Sequence, residues 1–106
     1  MDLSTLVTEP KLTKITLDAP EIVEKYGDTI VFWAYDNIQL STYFKFFDTR
    51  LKGEYEDLEA ITRALILKED GTQMISDGKT LPPDIFSAAI VAIGELLGKS
   101  QSKTST

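Results

Sequence analysis

Cysteine and histidine are both missing from this chain. Their absence removes disulfides, zinc sites of the usual kind, thiol nucleophiles and imidazole acid-base chemistry in one step. No apolar run approaches the roughly 20 residues that a membrane-spanning helix needs, so no membrane partner is expected. The opening MDLSTLVTEPK has neither the basic start nor the apolar block of a secretory signal, which makes the compartment of synthesis the expected location. Positive charge is scarce: 11 Lys and Arg stand against 17 Asp and Glu, a net charge of −6. Such a field repels nucleic acid, and the best basic group, Lys45, Arg50 and Lys52, is too small to reverse it. Phosphate-binding glycine loops are absent, and Asp70-Gly71 and Asp77-Gly78 lack the ligand spacing of a calcium loop. The carboxylates near the aromatic segment, Asp36, Asp48 and Asp57, fall at expected helix starts and turns, where capping and solvation are their ordinary work. The chain is therefore read as a non-enzyme, with no catalytic residue, metal or cofactor assigned.

What the chain does have is aromatic surface, concentrated in one place. Seven of its ten Phe, Trp and Tyr residues lie between Phe32 and Phe47, in the run FWAYDNIQLSTYFKFF. Each ring can bury about 150 to 250 Å², so this segment supplies core, binding face or both. A chain of 106 residues is the size of one domain. The pattern divides it into a flexible arm over 1–11, one globular domain over 12–98 and a polar, disordered tail over 99–106.

Within the domain, Leu12 to Leu17 alternates imperfectly and reads as a strand or extended arm. Asp18 as N-cap, Pro20 in the first turn and Gly27 as a stop predict a short helix from Ala19 to Tyr26. Thr29 to Tyr35 is β-branched and aromatic, hence a strand. Its two faces, Ile30, Phe32 and Ala34 against Val31, Trp33 and Tyr35, are both apolar, so it is either covered on both sides or has one side awaiting a partner. A helix capped by Asp36 or Ser41 should reach Lys52 and stop at Gly53, with Leu40, Tyr43, Phe44, Phe47 and Leu51 on its inward stripe. Phe46 falls off that stripe, as a loop-packing ring or an exposed anchor beside Trp33. An acidic-headed helix over 54–66 buries Leu58, Ile61 and Leu65. A hairpin turns at Asp70-Gly71. The last helix opens at Leu81-Pro82-Pro83-Asp84, carries a wide apolar stripe from Ile85 to Leu97 and ends at Gly98. The expected fold class is α+β, a small sheet or hairpins packed with three main helices, with a mostly helical fold as the alternative.

These faces give the candidate partner-binding residues: Trp33, Tyr35, Tyr43 and Phe46, with Ile90 and Leu97 if the last helix is the exposed element. Phe32, Phe44 and Phe47 are the corresponding core candidates. A homo-oligomer through the last helix is the other outcome its nearly all-round apolar character suggests.

The order of elements, with TLDAPEIVEKYGD, LSTYFKFFDTR, LEAITRALIL, a DG hairpin, LPPDIFSAAIVAIGELLG and a polar tail, resembles the small tail assembly chaperones of long-tailed bacteriophages over Ile15 to Lys99. That resemblance implies a protein that binds the tape measure protein, keeps its long helical body soluble, promotes assembly of tail tube protein around it, works in the host cytoplasm and is absent from the mature virion. It also implies a longer product made by ribosomal frameshifting, and Gly98-Lys99 is compatible with a slippery codon pair. The competing expectations are a small structural tail-completion or connector subunit that stays in the particle, and a generic acidic adaptor.

Overall fold

A computed structural model describes residues 2–102, with side chains described for 2–98. A 3-10 turn over Leu3–Leu6, capped by the Asp2 carboxylate, leads into strand β1 (Leu12–Leu17). Helix α1 (Pro20–Tyr26), strand β2 (Ile30–Tyr35) and helices α2 (Leu40–Lys52), α3 (Tyr55–Leu65) and α4 (Pro83–Ser102) follow. The fold class is α+β, as the sequence predicts.

The two strands pair antiparallel, Leu12 opposite Tyr35 and Leu17 opposite Ile30. Cross-strand partners share a face, so Ile15, Leu17, Ile30, Phe32 and Ala34 form one side, which faces the core. The other edge of β2 is also used: Trp33 and Leu67 exchange both backbone hydrogen bonds, at 3.0 and 2.8 Å. Leu67 belongs to the expected hairpin. Gly71 donates to the Lys68 carbonyl at 2.9 Å and Lys68 to the Thr72 carbonyl at 2.8 Å, with Gly71 at φ +87°. This is a three-residue loop closed by a left-handed glycine, a standard alternative to the two-residue turn.

Helix boundaries follow local chemistry. Gly27 and Gly53 end α1 and α2 in the left-handed conformation, which costs glycine no Cβ clash. The N-caps differ from expectation. Ala19, not Asp18, caps α1, because the residue before a proline is driven to extended backbone. Gln39 caps α2 without a side-chain bond; Asp36 instead exchanges bonds with Lys11, its Oδ1 accepting from the Lys11 amide at 2.9 Å. At the head of α4, Asp84 accepts from the Tyr26 hydroxyl at 2.9 Å and pairs with Lys25 Nζ at 3.1 Å, tying α1 to α4. Burial works against the Asp84 charge, but the bonds from Tyr26, Lys25 and the Ile85 amide outweigh it and hold the carboxyl below its usual value.

The core gathers Phe46, Ile66 and Ile93 around the inner sheet face, α2 packing on α3 and α4 on β1. Two buried threonines sit among them, and both satisfy their hydroxyls inside their own helices: Thr49 on the Lys45 carbonyl at 2.7 Å and Thr62 on the Leu58 carbonyl at 2.7 Å.

Gly98 does not end α4, which continues to Ser102; residues 103–106 of the expected disordered tail lie outside the described residues. Gly98 has ordinary helical backbone, and a Cβ there would meet nothing within 4 Å. Gly98→Ala is therefore expected to stabilise the protein, by up to about 1 kcal/mol, in urea unfolding. A loss of stability would instead place Gly98 in a left-handed cap.

Candidate protein-binding surfaces

The aromatic run of α2 crosses from core to solvent as a chain of ring contacts. Phe46 meets Phe47 edge-on at 5.1 Å, Phe47 meets Tyr43 at 4.8 Å and Tyr43 meets Phe44 at 5.7 Å. Phe46 is 0% exposed and Phe44 59%. This reverses the expectation for both: Phe46 is core and not an exposed anchor, and Phe44 is a surface ring. Leu40 and Leu51, expected inward, are exposed as well, Leu51 at 87%. The cause is the width of the apolar arc. At about 100° per residue, Thr42, Phe46 and Thr49 lie along one edge of it, and that edge is what the monomer buries. Leu40, Phe44, Phe47 and Leu51 line the other edge, where Phe44, Lys45, Phe47, Asp48 and Leu51 surround an open hollow of about 420 Å³.

Trp33 and Tyr35 stand on the outer face of the sheet, as expected, Trp33 half-buried and Tyr35 marginally exposed. That face is not left open by the chain. The hairpin folds across it: a Cβ on Gly71 would lie 3.2 Å from the Tyr35 hydroxyl and 3.9 Å from the Leu12 side chain. Leu67 is buried there, outside the main core.

Leu97 is 3% exposed and belongs to the core, so it is not a surface candidate. The periodicity of α4 allowed either outcome, because its apolar residues nearly encircle it. Ile90 is half-buried and lines a true groove. Between the heads of α3 and α4 a hollow of about 330 Å³ has walls that include Tyr55, Leu58, Leu81, Phe86 and Ile90. A second hollow of about 250 Å³ adjoins it, sharing Tyr55, Leu58, Ser87 and Ile90 and reaching Val91 and Arg50. The two hollows share Tyr55 and Leu58 of α3 and Ser87 and Ile90 of α4, so they make one continuous groove with Leu81 and Phe86 towards one end and Val91 and Arg50 towards the other. Glu59 lies on the wall, and Glu54, Glu56 and Asp57 share the same end of α3. Tyr55 and Leu58 were not among the sequence candidates. The signal was available: Tyr55 opens α3 just after the Gly53 stop, in a first turn otherwise made of Glu54, Glu56 and Asp57, where a ring stands out.

The fold and these surfaces define a small α+β domain with open, apolar grooves of a size for side chains. Among the described residues no acidic cluster is arranged to hold a metal ion, and no helix is long and apolar enough to cross a membrane. Comparison with protein-family models, with curated proteins and with solved structures gives no match.

Proposed function

We infer that the chain is a non-catalytic binding protein that receives amphipathic helices in the α3/α4 groove, and that it acts as a phage tail assembly chaperone with the tape measure protein as client. The observation that carries this reading is the continuous apolar groove that the two adjoining hollows make between α3 and α4. Helices dock in grooves through apolar side chains at i and i+3 or i+4, and walls that include Tyr55, Leu58, Phe86 and Ile90 offer such side chains apolar cover. The acidic head of α3 favours client helices with basic flanks. The order of elements supplies the choice of client, through the resemblance to tail assembly chaperones, and the same resemblance implies tail tube protein as the subunit whose assembly is promoted.

The test is co-expression of the full chain with a tape measure protein of a long-tailed phage. Wild type is expected to hold that protein in the soluble fraction. Tyr55→Ala combined with Ile90→Ser removes a rim ring and a wall side chain, a loss on the order of 2 kcal/mol or about 30-fold in affinity, with unchanged circular dichroism. Client retention by the double variant would sink the groove assignment. Recovery of the chain from purified particles by mass spectrometry would favour the tail-completion or connector subunit instead.

A further inference from the structure

We propose that the outer face of α2 is a self-association surface, which pairs antiparallel with α2 of a second copy about a two-fold axis passing between Lys45 and Phe46. The face is Leu40, Phe44, Phe47 and Leu51, of which Leu40, Phe44 and Leu51 are exposed and Phe47 half-buried. Their spacing of four, three and four residues is the apolar seam of two packed helices. It reads the same in both directions, in spacing and in residue type: Leu, Phe, Phe, Leu. A two-fold contact requires a patch to be complementary to itself, and this one is. The axis brings Leu40 against the second copy's Leu51, and Phe44 against its Phe47. A groove for an unrelated partner has no need of such a palindrome.

The polar flanks agree with the same geometry. In an antiparallel seam Asp48 comes opposite Ser41 of the other copy, while the Arg50 guanidinium is turned away against Gly94 of α4, so no like charges meet. Lys52 pairs with Asp48 in its own helix at 3.2 Å, which offsets the carboxylate beside the seam. Covering the four seam residues and Tyr43 on both copies removes on the order of 1,000 Å² from water, the lower bound for a specific interface. The dimer is thus reversible and concentration-dependent. It uses a surface separate from the α3/α4 groove and does not rest on the client proposed for that groove.

Sedimentation of the purified full chain from low micromolar to several hundred micromolar should show the mass rising from one copy to two. Phe44→Asp, which places a charge against the other copy's Phe47, should raise the dissociation constant at least about 100-fold with the far-ultraviolet spectrum and melting midpoint unchanged. Since the chain has no cysteine, direction can be read by cross-linking. Oxidising a mixture of Leu40→Cys and Leu51→Cys chains should give a covalent dimer of one of each, whereas either variant alone should not cross-link. A single copy at every concentration, full dimerisation of Phe44→Asp, or cross-links between identical positions would each overturn the proposal; the first of these would give the face to a different protein.

Discussion

Replacing Phe46 by alanine is expected to cost about 3 to 5 kcal/mol of folding free energy, the range for truncating a fully buried ring. The side chain is 0% exposed, stacks edge-on with Phe47 and sits at the crossing of α2 and α4. On the α4 side it meets Gly94, which is buried: a Cβ there would stand 3.8 Å from the Phe46 ring and 2.5 Å from the Arg50 guanidinium. Glycine has no side chain to swing into the void, so the cavity stays largely open. A domain of this size has about 5 to 15 kcal/mol in all, and the variant loses a large share of it. Phe44→Ala, two positions earlier and 59% exposed, is expected to stay within about 0.5 kcal/mol of wild type in dilute solution. Urea unfolding with unchanged m-values compares the two directly. A Phe46→Ala cost under about 1 kcal/mol would mean that the ring lies outside the core.

This contrast marks where the sequence was legible. Most helix positions follow from local signals, with Gly27 and Gly53 as left-handed stops, Pro20 and Pro83 in first turns and Asp84 at the head of the last helix, although Gly98 does not stop α4. The strand at Ile30–Tyr35 follows from its β-branched and aromatic content. The rotation of α2 about its axis does not follow from such signals. Its apolar residues span more than a third of the circumference, and periodicity locates the arc without saying which edge another element covers. The deciding feature lies in a different segment. Gly94 leaves room in α4 for the Arg50 guanidinium, which a Cβ there would meet at 2.5 Å, and its backbone lies against the Phe46 ring. The outer face of β2 was likewise settled at a distance. Its cover is a hairpin some thirty-five residues further along the chain, which no window on the strand contains.

The candidate site was legible to a similar depth. The apolar stripe of α4 points to Ile90, which does line a groove, and the alternation of β2 puts Trp33 and Tyr35 on one sheet face, where they stand. The exposed stripe of α2 was visible as a stripe and assigned to the wrong side of the molecule. Its four-three-four spacing is the same whether it meets the core or a second copy, and only the burial of Phe46 distinguishes the two.

Leu97→Ala is expected to lower stability by about 2 to 5 kcal/mol while leaving client retention by the folded protein unchanged. Leu97 is 3% exposed and extends the core-facing line of Phe86, Ala89 and Ile93 on α4. Ile90→Ala, seven residues earlier, should do the opposite. Ile90 is half-buried on a groove wall, so its removal should cost about 1 kcal/mol or less in stability and appear chiefly in binding. Two thermal or urea titrations beside one co-expression assay separate the roles. If Leu97→Ala proves nearly neutral, the end of α4 is not packed and the core must close at Ile93. If both variants lose stability equally, α4 is buried all round and the groove cannot accept a helix.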